Sequence, residues 1–260
     1  MSELQALILG IIQGLTEFLP VSSSGHLEIG HHLLGIHNSN NLLFAVVVHV
    51  ATVCSTIIVF RKDILELIKG LLTFRWNEET QYVLKLLFSV IPVLILGLLF
   101  KDKVEALFTG NMVLVGSALI FTALLLAITQ LAKVNDDKIT FLKALIIGIA
   151  QAVAVIPGIS RSGSTIATGL LLRTKKENIA RFSFLMVLIP ILGAAFLDIL
   201  SGEIATQESI KPTALLVGFL AAFIAGLAAC SWMIKIVKRG KLIYFAIYCF
   251  IIGVIAIFAA

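Results

Sequence analysis

Residues 6–13 read ALILGIIQ and residues 144–151 read ALIIGIAQ, the same phrase at an offset of 138. The match continues in register, since Ser22, Ser23, Ser24 and Gly25 fall on Ser160, Arg161, Ser162 and Gly163, and Pro20 falls one position from Pro157. A recurrence of this length marks a duplication, with repeats 1–138 and 139–260 inside a single membrane domain. Each copy opens with an apolar helix, breaks at a proline and a Ser/Gly run, resumes as a short helix (26–36 and 164–173), and continues into three spans. Backbone without helical bonding survives at membrane depth only where protein or a water-filled cavity surrounds it, so two polar breaks point to a buried site.

The spans follow from composition. The chain of 260 residues is 59% hydrophobic and 13% charged, with mean hydropathy +1.07, so lipid must be its main solvent. The stretches 41–60, 80–100, 111–133, 179–199, 212–234 and 242–260 each hold the roughly 20 mainly apolar residues that a spanning helix needs, and six spans are predicted. The N-terminal MSELQALILG has neither a basic n-region nor a small-residue cleavage site and reads as mature protein. Cys54, Cys230 and Cys249 lie in apolar stretches without CxxC spacing, as small core residues that imply neither a disulfide nor zinc. The formal charge of +5 sits in short loops and calls for no nucleic-acid partner.

Those loops also decide topology. With both broken pairs re-entrant, the basic residues of 61–75, 133–143, 173–181 and 235–241, fifteen in all, collect on one side, and Lys101, Lys103 and Lys211 on the other. If the first helix of each pair crossed instead, the loops would divide eight against ten. Basic loop residues favour the cytoplasm, so the re-entrant arrangement is expected, with both termini outside. Three spans between the copies invert the second. The predicted fold class is an all-α polytopic membrane protein with an inverted-topology repeat, each half a re-entrant helix hairpin plus three transmembrane helices, the two breaks meeting near the midplane.

The first break lies in QGLTEFLPVSSSGH (13–26) and the second in PGISRSGST (157–165). Gln13 and Glu17, four apart, share a helix face, and a carboxylate inside a membrane segment suggests a metal ligand or general base; snorkelling to the outer interface is the competing account. Ser22, Ser23 and Ser24 include a natural N-cap, but three hydroxyls followed by Gly25 and His26 exceed what a cap needs. They bring a nucleophile, Ser23 the candidate, within reach of an imidazole. His26 can serve as acid–base group, accept the phosphoryl group itself, or be a hydrogen-bonded core residue. His31, His32 and His37 read as outer-interface residues, and His49 as a mid-span histidine without an assigned role. Arg161, flanked by Ser160, Ser162 and Ser164, offers a planar fork suited to phosphate oxygens, or a structural partner for Glu17. Both short helices start at the breaks, so their positive ends should converge on an anion.

These two segments closely resemble the signature segments of the undecaprenyl-diphosphate phosphatases of the bacitracin-resistance type. Their order, spacing and the overall length fit as well, and the resemblance covers essentially the whole chain. It implies a divalent-cation-dependent (Mg or Ca) hydrolase of the bacterial plasma membrane, with its active site facing the extracytoplasmic side. Undecaprenyl diphosphate would be cut to undecaprenyl phosphate and phosphate, recycling the lipid carrier for peptidoglycan and other envelope polymers. Bacitracin would compete by sequestering that substrate, membrane lipids would surround the protein, and a homodimer is left open. Mapped onto this chain, the resemblance implies Ser23 as nucleophile with His26 as its acid–base partner, or His26 carrying the phosphoryl group in its place, with Glu17 as metal ligand or base and Arg161 as diphosphate clamp. Gln13, Ser22, Ser24, Gly25, Ser160, Ser162, Gly163, Ser164 and Thr165 would contact substrate. The family motif allows Glu or Gln at position 13, and Gln13 leaves Glu17 as the main carboxylate. The rivals are a lipid-carrier flippase or other inverted-repeat transporter, for which broken helices at the midplane are also suited, and a structural subunit, which leaves the cost of burying Glu17, His26 and Arg161 unexplained.

Overall fold

The computed structural model describes residues 1–36, 42–108, 110–132, 137–200 and 210–259; His37 and Lys133 fall outside them. The described helices are α1 (Glu3–Phe18), α2 (Ser23–Leu33), α3 (Leu42–Val59), α4 (Arg61–Leu71), α5 (Glu78–Leu99), α6 (Lys101–Glu105) and α7 (Met112–Ile128), then α8 (Phe141–Val153), α9 (Arg161–Leu171), α10 (Lys176–Met186), α11 (Leu188–Leu200), α12 (Pro212–Arg239) and α13 (Ile243–Phe258). Among the described residues there is no strand, only an isolated bridge between Asp137 and Thr174.

Five runs are long and apolar enough to cross a membrane: α3, α5, Met112–Leu131, Lys176–Leu197 and α12. The chain is a multi-pass membrane protein. The sixth predicted stretch forms α13, with 16 residues, ~24 Å long and thus shorter than a hydrocarbon core of ~30 Å. It lies along α7, where Gly116 and Gly253 let the two backbones approach closely. Leu87, Leu94 and Leu98 of α5 are exposed, which for a spanning helix means facing lipid. The fourth span is not continuous, because α10 ends at Met186 and α11 begins at Leu188. Pro190, in the first turn of α11, has no N–H to return to Met186, and the helix breaks there.

Helix α1 begins with a reciprocal cap, in which the Ser2 hydroxyl accepts from the Gln5 amide and the Gln5 side chain from the Ser2 amide. It stops at Phe18 because Pro20 disfavours helical backbone at Leu19, which is extended. After the turn α2 runs back beside α1, and α9 does the same beside α8. Both returning helices start three residues before their predicted beginnings, at Ser23 and Arg161. The reason is local: Ser22 and Ser160 are the N-caps, accepting from the amides of Gly25 at 3.3 Å and Gly163 at 3.1 Å.

Each hairpin is clamped by a span from the other half, α1 along α12 and α8 along α5. The first contact is a seam of small residues: a Cβ on Gly14 would stand 2.5 Å from the carbonyl oxygen of Ala222, and one on Gly10 2.5 Å from that of Gly218. Without a hydrophobic force between helices in lipid, such close packing is what holds them together. Away from the breaks, Arg181 of α10 pairs with Asp63 of α4 at 2.8 Å and lies over the Tyr82 ring of α5.

Candidate active site

The two breaks touch. A Cβ on Gly25 would lie 2.9 Å from the Gly158 Cα, and the Ser162 hydroxyl donates to the Leu19 carbonyl at 3.1 Å. The second break is pinned from mid-α7, where Thr122 donates to the Gly158 carbonyl and accepts from the Ser160 amide, both at 3.0 Å. Gly158 takes φ +97°, and Val115 backbone occupies the space of a side chain, so only glycine fits.

Glu17, in the last turn of α1, is the centre, with its side chain 5% exposed. One carboxylate oxygen, Oε1, takes the Arg161 guanidinium. The other, Oε2, accepts from Gln13 Nε2 at 2.9 Å and from the Ser23 hydroxyl at 2.7 Å. A carboxylate from the first half and a guanidinium from the second are therefore paired, and a candidate nucleophile sits on the carboxylate. His49 of α3 brings Nε2 to 3.9 Å from Oε2, while its Nδ1 lies 2.7 Å from the Ala45 carbonyl. The α2 and α9 N-termini open at the same place, adding two positive helix ends beside a single negative charge.

Around this pair the predicted contact residues divide. Ser22 is the cap, held at φ +72°, a value rare outside glycine and usually kept at functional sites. Its hydroxyl also meets that of Ser24 at 3.3 Å, and Ser160 and Ser162 repeat the contact at 3.4 Å. Thr165 bonds the Ser183 hydroxyl of α10 at 2.6 Å. The Ser164 hydroxyl and Gln13 Oε1 are buried without a protein partner. His26 is not on Ser23. Its Nδ1 lies 2.8 Å from the Ser22 carbonyl, one turn back, and its Nε2 lies 2.9 Å from the Tyr248 hydroxyl of α13.

Tyr248, His49, Thr122 and Ser183 are site neighbours that sequence reasoning did not select. The available signal was weak, because each is one of several polar side chains in its helix and nothing in the order of residues singles it out. A narrow cleft of about 10 Å³, about one water's worth, runs from Glu17, Arg161 and Ser162 past Thr52, Thr56 and Ser183 to apolar Val53, Phe184, Val187 and Ile191. The larger hollow, about 570 Å³ between α4 and the start of α5, contains none of these residues. Among the described residues no three His, Cys, Asp or Glu side chains converge on a metal position. The donors here are one carboxylate, the unpartnered Gln13 Oε1 and the Ser23 hydroxyl.

The profile of a family described as bacitracin resistance protein BacA matches residues 6–255. Among curated relatives, an undecaprenyl-diphosphatase of Bacteroides thetaiotaomicron is 56% identical, covering 99% of this chain and 98% of its own. One of Christiangramia forsetii is 54% identical over 98% and 97% of the two chains. One from Methanobrevibacter smithii is still 36% identical over 98% and 96%.

Proposed function

The chain belongs to the bacitracin resistance protein BacA family and is an undecaprenyl-diphosphatase, and from that premise we propose that the two touching breaks are its active site. It hydrolyses undecaprenyl diphosphate to undecaprenyl phosphate and inorganic phosphate, recycling the lipid carrier for peptidoglycan and other envelope polymers. The observation that carries the assignment is Ser23 donating to Glu17 Oε2 at 2.7 Å while Arg161 holds Oε1.

Ser23 is the nucleophile and Glu17 its base. As the Ser23 proton passes to Glu17, the oxygen attacks the terminal phosphorus, the bond to the bridging oxygen breaks, and undecaprenyl phosphate leaves. Water then cleaves the phosphoserine to inorganic phosphate. Arg161, with five donors, turns part of its fork from Glu17 to the phosphate oxygens, where charge spreads in the transition state. His26 is the acid–base partner, reaching substrate rather than Ser23. Ser24, Gly25, Ser160, Ser162, Gly163, Ser164 and Thr165 line the approach of the diphosphate.

A divalent cation, Mg or Ca, fits these donors in one way. One carboxylate plus substrate phosphates is a usual magnesium arrangement, so Glu17 and Gln13 Oε1 would hold it jointly with the diphosphate. When bound, the ion supplies neutralisation of phosphate charge.

The halves 1–138 and 139–260 form an inverted pair in one domain. Supporting this, α1 on α12 and α8 on α5 are the same contact with the halves exchanged. The basic-loop bias puts the termini outside and opens the site to the extracytoplasmic face of the plasma membrane, where bacitracin would sequester the same lipid substrate; a homodimer fits this setting too. A flippase has no need of a serine hydroxyl on a buried carboxylate, so the transporter reading is not carried further.

Phosphate release from C55 diphosphate by the purified protein, with and without chelator, tests the proposal. Glu17→Ala and His26→Ala should each lose at least ~100-fold, the lower end for positioned acid–base groups. Wild-type turnover in folded Glu17→Ala would sink the assignment.

A further inference from the structure

Tyr248 lies in neither break, and the chemistry above does not use it. It stands on α13, in IYFAIYCFIIGVIAIF (243–258), where only Tyr244, Tyr248 and Cys249 carry a polar atom in the side chain. Its hydroxyl is 2.9 Å from His26 Nε2, and its ring lies 10° from the imidazole plane with centroids 5.5 Å apart. On the far edge of the imidazole, Nδ1 is 2.8 Å from the Ser22 carbonyl. A carbonyl only accepts, so the neutral ring carries its proton on Nδ1 and its lone pair on Nε2. The Tyr248 O–H is then the donor. A hydroxyl on an apolar helix in lipid is costly without a partner, and phenylalanine would provide the same ring contact. The partner here is one nitrogen of a proposed catalytic histidine, 222 residues away.

We infer that Tyr248 is a positioning residue for the phosphatase reaction, fixing the ring plane of His26 and holding its Nε2 lone pair from the other half of the chain. The Nε2 lone pair is occupied before substrate arrives and is released when a substrate oxygen draws the Tyr248 hydroxyl away. Once freed, that lone pair is aimed by the ring plane at the substrate oxygen with which His26 exchanges a proton. The inference rests on the reading of His26 as part of the active site.

Tyr248→Phe keeps the ring and removes the hydroxyl. Diethyl pyrocarbonate acylates the unprotonated imidazole nitrogen, and peptide mass spectrometry of the purified full chain assigns the rate at each histidine. His26 should react at least ~3-fold faster in the variant than in wild type, with His31 and His32 unchanged, because the hydrogen bond no longer masks Nε2. The kcat for phosphate release should fall by about 3- to 10-fold, the worth of one neutral hydrogen bond, with little change in KM. On a His26→Ala background the same substitution should cost nothing more. Equal acylation of His26 in both proteins, or an undiminished cost without His26, overturns the inference. So does an Nε2-protonated His26 in the ¹⁵N spectrum of the wild type, a measurement that needs no variant. Wild-type turnover by His26→Ala would instead overturn the catalytic reading of His26, with the acylation contrast still reporting on the contact itself.

Discussion

Ser22 and Ser23 are adjacent and chemically identical, yet they do different work because the helix begins between them. Ser22 caps α2 from a left-handed φ, while Ser23, the first helical residue, reaches back to Glu17. Ser22→Ala should therefore cost about 1 kcal/mol in a detergent melt, the usual worth of a cap, and leave most turnover intact. Ser23→Ala should remove phosphate release by ~100-fold or more with the melt unchanged, as expected for a nucleophile. Arg161 separates differently. Arg161→Lys keeps the charge but loses the planar fork, so most turnover should disappear while the Glu17 pairing, and with it the melting temperature, is largely retained. Arg161→Ala strands a buried carboxylate, a loss of about 3–5 kcal/mol for a fully buried pair; with the arginine side chain 26% exposed, the low end is expected. Near wild-type turnover in Arg161→Lys would mean that only charge is needed there.

At the scale of helices, the position of the site depends on how closely α1 can approach α12. Gly14 faces the Ala222 carbonyl across that seam, whereas Gly97 of α5 has open space where a side chain would stand. Gly14→Val should lower the melting temperature by the equivalent of roughly 1–3 kcal/mol through overpacking, and should reduce turnover by tilting Glu17 off Ser23 and Arg161. Gly97→Ala should raise stability by up to about 1 kcal/mol, the helical preference of alanine over glycine. If both substitutions proved neutral, the seam would not be holding the hairpin. The helices were legible in outline from apolar runs and caps. Their junctions were less so: the starts of α2 and α9 depend on which of several serines takes the cap, and the break between α10 and α11 on a proline whose effect depends on its place in the turn.

For the whole molecule, the distribution of basic loops makes an orientation testable. Leu33, at the end of α2, and Phe74, after α4, are 77% and 92% exposed, and the re-entrant topology puts them on opposite sides of the membrane. In a background with Cys54, Cys230 and Cys249 replaced by alanine, Leu33→Cys should react with an impermeant thiol reagent added outside intact cells, and Phe74→Cys should not. The reverse labelling would invert the active site to the cytoplasm. Composition and recurrence alone show that the chain lives in lipid, that one phrase recurs at an offset of 138, and that Glu17, Ser23, His26 and Arg161 are the residues to watch, because a polar group in an apolar run stands out in one dimension. They leave open whether Arg161 is on Glu17, whether His26 is on Ser23, and whether Tyr248 or His49 belongs to the site at all. Those contacts join residues as far apart as 222 positions, and they exist only once α1 is pressed against α12 and α8 against α5. A hydrogen bond is decided over a few tenths of an ångström by helix packing and turn dihedrals, and neither has a counterpart in the order of the amino acids.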